Sequence, residues 1–308
     1  MNEKKNEISC PACGSGSNKE VSEFSFFQDG KGFFSNSYNV LECSECRLWF
    51  KNNIPSKETI TGYYESLPSD GIDWDYKGRL PHEEKIDRIL FDLFPQAKVL
   101  DVGCWTGRLL APHKSIDRFG IEPNELSSKV AEGKGIKILG NIVNEETLLG
   151  HMFDAISMVD VFEHLNNPFD VIEVLLKHLT PGGKLIIVTG ASDSTPFQLA
   201  GISYWYYSLI PDHIVFMNTG FINWLRKKFT GFSIEVERVR HFAFNNKKFI
   251  KEMAWLFIWR YLNPNSPFKR NKLQKILSAK KFSDFKEVII CSNQKDHFFV
   301  VFTNRSQS

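Results

Sequence analysis

VLDVGCWTGRLL, residues 99–110, is an apolar strand that ends in an acid, turns through two glycines and is expected to run into a helix. Val99, Leu100 and Val102 leave no polar face, the pattern of a parallel strand buried on both sides. Gly103 and Gly107 let the backbone press closely against a ligand, and the free N–H groups of the expected helix would aim at the same place. The stretch therefore predicts a nucleoside-binding corner in an α/β sheet. A dinucleotide fingerprint needs glycines at the first, third and sixth places of the turn; these hold Gly103, Trp105 and Arg108, so that reading fails on spacing.

An acid, one residue, Gly, three residues and Gly is the spacing present, and at Asp101, Gly103 and Gly107 the chain resembles class I S-adenosylmethionine-dependent methyltransferases. The resemblance continues downstream. FGIEPN, residues 119–124, puts Glu122 about 20 residues past the first glycine, where a ribose-binding acid stands. GNIVNEE (140–146) and FDAISMVDVFEHL (153–165) supply a loop and a fourth strand. HLTPGGKLIIVTG (178–190) gives a helix end, a Pro181-Gly182-Gly183 turn and a fifth strand. The resemblance implies a doubly wound, seven-stranded Rossmann-like α/β sheet with S-adenosylmethionine as cofactor. It places cofactor contacts at Asp101, Gly103, Cys104, Gly107, Glu122, Pro123, Asn141, Ile142 and Asp160, with Asn141 and Ile142 beside the adenine. Trp105 departs from the family by replacing a glycine, and its side chain is expected to point away from the pocket.

Four of the six cysteines form two pairs, Cys10 with Cys13 in CPACG and Cys43 with Cys46 in CSEC, a spacing suited to tetrahedral zinc. Between them VSEFSFFQ and FFSNSYNVLE, joined by DGKG, predict a hairpin, so the segment is expected to be a zinc ribbon. Four thiolates leave no open position, which makes such a zinc structural. Cys104 and Cys291 are expected to be packed residues. The ribbon's Glu20, Glu23, Asp29, Glu42 and Glu45 offset its lysines, which argues against nucleic acid as a partner. A net charge of +2 implies neither nucleic acid nor membrane by itself. MNEKKNEISC carries no apolar signal region and no run reaches the roughly 18 apolar residues of a membrane span, so a cytoplasmic protein is expected.

The organisation expected is a zinc ribbon over 1–53, a linker with a lid and first helix over 54–95, the cofactor-binding core over 96–244, and a helical insertion with a closing strand over 245–308. NIPSKETITGYYESL (53–67) predicts a short helix whose Tyr63 and Tyr64 either close over the cofactor or pack ribbon against core. HEEKIDRILFDLFP (82–95) predicts an amphipathic helix ending at Pro95, with Ile86, Ile89, Leu90 and Leu93 on the sheet.

Alcohol acceptors need a base, and His213 in PDHIVF is the first candidate, the alternative being a structural histidine. In VDVFEHL, Asp160, Glu163 and His164 stand at the fourth strand's end, with His164 a second candidate base; a divalent metal there is a further alternative implied by quinone-pathway relatives. Tyr204, Trp205, Tyr206 and Tyr207 offer walls for a sugar ring. Across 247–275, Trp255, Phe257, Ile258, Trp259 and Leu262 among Lys251, Arg260, Lys269 and Arg270 suit either packing on the sheet or peripheral membrane contact. The combination resembles bacterial methyltransferases of surface saccharides, which implies O-methylation of a saccharide, nucleotide sugar or lipid-linked saccharide. RNA or protein methylation and a non-catalytic scaffold are the alternatives.

Overall fold

The computed structural model describes residues 8–25, 37–67, 79–195, 198, 210, 212–242, 245–262 and 294–306, with 22–25, 37 and 255–262 described by backbone alone. The DGKG turn, Tyr204 to Tyr207, Cys291 and the insertion beyond 262 lie outside the described residues.

At the N-terminus, β1 (Asn18–Ser25), β2 (Ser37–Cys43) and β3 (Trp49–Lys51) form an antiparallel ribbon. After helices α1 (Lys57–Glu65) and α2 (Pro81–Phe91) come β4 (Lys98–Val102), β5 (Asp117–Ile121), α3 (Glu125–Gly133), β6 (Lys137–Gly140) and β7 (Phe153–Val159). Next are α4 (Pro168–Lys177), β8 (Leu179–Gly190), β9 (Val215–Phe216), α5 (Thr219–Lys228), β10 (Phe232–Val239), α6 (Asn246–Leu262) and β11 (His297–Asn304). Among the described residues no helix is long and apolar enough to cross a membrane.

The expected doubly wound sheet is present, with seven strands in the order β10-β11-β8-β7-β4-β5-β6. β4 through β8 pair in parallel, while β11 lies antiparallel between β8 and β10. Alternate residues of each strand face opposite ways. Val99, Ala155, Ile186 and Val188 pack with Ile86 and Leu90 of α2 and Ala131 of α3. Leu100, Ile156, Met158 and Ile187 pack with α4, α5 and the ribbon's Leu48 and Phe50.

Three expectations are corrected. Residues 105–112 are successive turns rather than a helix. Gly107 sits at φ +74° and Pro112 disfavours helical geometry at Ala111, so too few residues remain to nucleate one. The expected helix N-terminus after Gly107 is therefore not present. The amphipathic helix ends at Phe91, not Pro95, with Leu93 N bonded to the Leu90 carbonyl in a closing turn. The Pro-Gly-Gly corner is a bulge inside β8: Phe153 opposes Leu179 and Ala155 already opposes Lys184.

The ribbon is joined to the core by backbone pairing, because β9 is the fourth strand of the ribbon's own sheet. Trp49 opposes Phe216, Phe50 opposes Val215, and Lys51 N donates to the Ile214 carbonyl at 2.9 Å. Asn218 closes the junction: its Oδ1 caps α5 by accepting from Phe221 N at 2.8 Å, and its Nδ2 donates to the Arg47 carbonyl at 2.7 Å. Replacing Asn218 with Ala is expected to lower unfolding stability by about 1–3 kcal/mol, with Asn218→Asp restoring the cap alone and recovering part of the loss. Urea midpoints check this; parental midpoints in both variants would show that the junction contributes nothing.

Candidate active site

β4 is flanked by β5 on one side and β7 on the other, so the chain reverses its winding between β4 and β7. Ligands of open α/β sheets bind outside the carboxyl ends of the strands at such a point. Asp101, Gly103 and Asp160 all lie there. Gly103 has φ +70°, and a Cβ on it would stand 2.4 Å from Val161 Cγ2, so only glycine lets the β4 loop pass the β7 loop. Trp105 also takes a left-handed backbone, φ +46°, which costs a non-glycine residue about 1–2 kcal/mol. That conformation turns its N–H toward Glu122, which accepts from Trp105 N and Asn124 N at 2.8 Å each. Asp160 is a second non-glycine residue of the site with a left-handed backbone, at φ +50°.

Asp101 is buried and accepts from Ser157 Oγ at 2.7 Å. Burial pushes its carboxyl up to about 7, with the Ser157 bond opposing and Glu122 reinforcing the shift. Burial also raises Glu122, against the pull of its two backbone donors. The thiol of Cys104 is pushed well up by burial, so it is no nucleophile at neutral pH. Asn141 is exposed and Ile142 half-buried just past β6, and Pro123 follows Glu122 at the end of β5.

Buried Asn124 governs the edge of this crevice. Its Oδ1 caps α3 through Ser127 N, and its Nδ2 donates to the carbonyls of Tyr64 and Leu67 at 2.9 Å each. The end of α1 is thereby held beside the β5 corner.

Two histidine clusters lie at the end of β7, the second of them beside Asp160. In the first, His164 and His213 meet edge to face at 4.7 Å, and the Nε2 of each lies 3.9 Å from Glu163 Oε1. Glu163 Oε2 accepts from Thr189 at 2.9 Å. His164 Nδ1 lies 3.0 Å from the Asp212 carbonyl, which can only accept, so Nδ1 carries a proton and Nε2 is the nitrogen turned toward Glu163. Tyr64 Oη donates to Asp212 Oδ2 at 2.8 Å, its phenol held far above its usual range by burial and Asp212. In the second cluster the rings of His82, His241 and His297 follow one another at a tilt of 33–34°, with ring centres 5.1 and 4.7 Å apart. His297 Nδ1 bonds Asp296 at 2.8 Å.

The fold brings Asp160, Glu163, His164 and His213, the residues expected from sequence, to one region. Tyr64's bond to Asp212 and the whole second cluster are not legible in the sequence pattern. The available signal was position: His82, His241 and His297 each stand at an element boundary, in PHEE, VRHF and DHFF. In the ribbon, one ligand atom from each of Cys10, Cys13, Cys43 and Cys46 lies within 4.8 Å of the others.

An open sheet with an acid-glycine corner at its switch point and a buried acid closing the next strand defines a nucleoside-binding α/β domain. Residues 75–235 match the family described as "Methyltransferase domain". The chain belongs to this family, and this part of it is a class I S-adenosylmethionine-dependent methyltransferase domain. It is 26% identical over 150 residues to the mitochondrial ubiquinone biosynthesis O-methyltransferase of Schizosaccharomyces pombe, covering 41% of this chain and 53% of that protein. The ubiquinone biosynthesis O-methyltransferase of Xanthomonas axonopodis pv. citri is 30% identical over 128 residues, covering 37% and 52%. The chain thus spans about half the length of these relatives. Among solved structures, the plantazolicin methyltransferase BamL, in complex with a triazolic desmethylPZN analog and SAH, has 16% identity and a TM-score of 0.46, over 82% of this chain and 92% of that one.

Asp101 supplies a pH test of the crevice. Its folded-state pKa of about 7 lies above the ordinary 3.8, so the folded chain holds this proton more tightly than the unfolded chain between those values. The stability it contributes is fully present below that window and falls as pH rises through it. In the ligand-free protein, Asp101→Asn is expected to melt a few degrees above the parent at pH 8, with the gain vanishing near pH 4. A gain that ignores pH would contradict the burial argument.

Proposed function

We propose that the chain methylates a hydroxyl of a small acceptor, of the saccharide, nucleotide-sugar or lipid-linked saccharide class, with His213 accepting the proton. The observation that carries this reading is a fully buried carboxylate, Glu163, 3.9 Å from two imidazoles just beyond the switch-point strand. When bound, S-adenosylmethionine supplies an electrophilic methyl group. The protein's task is to orient the hydroxyl and take its proton. Glu163 stabilises the imidazolium that His213 becomes, while His164, fixed through Asp212, holds the ring by its edge. His164 Nε2 is the second candidate base. Asp101, Gly103, Cys104, Gly107, Glu122, Pro123, Asn141, Ile142 and Asp160 form the cofactor's cradle in this reading, Glu122 exchanging its backbone donors for ribose hydroxyls. Relatives named O-methyltransferases support an oxygen acceptor. The saccharide class rests on the aromatic run Tyr204 to Tyr207, and peripheral membrane contact through 247–275 suits a lipid-linked acceptor.

The four N-terminal cysteines hold a structural zinc ion in the same reading. Their donor set fits: four thiols lie within 4.8 Å of one another, three of them buried, and they fill a tetrahedral shell with no place for substrate. Through the β3–β9 pair, that ion would fix the backbone two residues past His213.

Labelled methyl offered with fractionated nucleotide sugars, lipid-linked saccharides, RNA and protein tests the acceptor; label in RNA or protein alone overturns it. His213→Ala should lower transfer about a hundredfold or more with cofactor affinity preserved, and an unchanged rate removes His213 from the chemistry. Chelation or Cys43→Ser should raise amide exchange across the ribbon and residues 213–218 before the large sheet opens, and a purified chain without zinc refutes the metal.

A further inference from the structure

The second histidine cluster is not used by the proposed chemistry. His82 comes from the first turn of α2, Asp160 from the end of β7 and His241 from just beyond β10, so three separate elements converge on one point. One ligand atom from each lies within 4.8 Å of the other two. His82 is 1% exposed and His241 9%, yet neither ring's Nδ1 has a hydrogen-bond partner, and Asp160 Oδ1 has none either. Each such orphan is destabilising if nothing fills the space between them.

The gaps argue for an ion. His241 Nδ1 stands 3.7 Å from Asp160 Oδ2, too far for a direct hydrogen bond. Donors bound at about 2.0–2.2 Å to a four-coordinate ion lie roughly 3.4 Å apart, which small side-chain rotations here would reach. Two imidazoles and one carboxylate are a ligand set of zinc and neighbouring first-row metals, not of calcium or magnesium. His297, held by Asp296 at 2.8 Å, directs its Nε2 toward Asp160 Oδ1 at 3.9 Å, an outer group able to orient that carboxylate.

We infer that His82, Asp160 and His241 form a second metal site, for a first-row divalent cation, on the acceptor side of the crevice. The side chain of Asp160 is 34% exposed, so a fourth position opens toward the crevice and would take an oxygen donor such as water or an acceptor hydroxyl. This site shares no residue with the cysteine cluster.

Cobalt(II) titration of the metal-stripped full chain tests the inference by metal content and spectrum, without reference to methyl transfer. Expected are one equivalent with thiolate charge-transfer absorption and a further equivalent with only weak visible bands. His82→Gln and His241→Gln should each lose the thiolate-free equivalent while keeping the other. Asp160→Asn, at a part-exposed position, should weaken it at least about tenfold even if the histidine variants fail to fold. Binding that stops at the thiolate equivalent, as a water-filled cluster would give, overturns the site, as does a thiolate-free equivalent unchanged in these variants. A thiolate-free equivalent in a chain lacking the thiolate band would uphold this site while refuting the ribbon's metal.

Discussion

The backbone from His213 to Asn218 is the constraint on which the rest of the arrangement depends. Buried polar backbone must find partners, and this segment finds them on separate parts of the chain. Ile214 donates to the Glu163 carbonyl and accepts from Lys51 N, β9 pairs with β3, and the Met217 carbonyl accepts from Ser192. Ile214, Val215, Phe216 and Met217 are all buried, so the segment is clamped by packing as well as by hydrogen bonds. Ribbon, β7 loop and β8 end are thereby fixed to one another, and His213 is delivered to Glu163 as a result.

A cost accompanies this delivery. Lys51, on the last ribbon strand, is buried, stacks on Tyr38 at 4.1 Å and donates to the Ile210 carbonyl at 2.9 Å; burial pushes its ammonium down to about 7. Trp105 and Asp160 hold left-handed backbones, and Asp101 and Glu122 are buried acids. Lys51 apart, these costs gather at the carboxyl ends of β4, β5 and β7, where a scaffold built only for stability would place none of them.

Much of the sheet was legible because its signals are local. Val99 to Val102, Phe153 to Val159 and Leu185 to Val188 are apolar runs whose burial on both faces is written in composition. Glycine spacing excluded a dinucleotide site and identified the corner. The helix expected after Gly107 failed for an equally local reason, the combination of a left-handed glycine and Pro112. β9 was invisible as a ribbon strand, since two residues carry no periodicity and their partner lies more than 160 positions earlier.

The sequence by itself determined the nucleoside corner, the paired cysteines and the acids at Glu122 and Asp160, because strand patterning and turn chemistry act between near neighbours. Only the tertiary structure decided that His213 meets Glu163 and that His82, His241 and His297 gather beside Asp160. Those groups sit on elements far apart in the chain, and it is sheet order, with β11 inserted between β8 and β10, that sets them side by side.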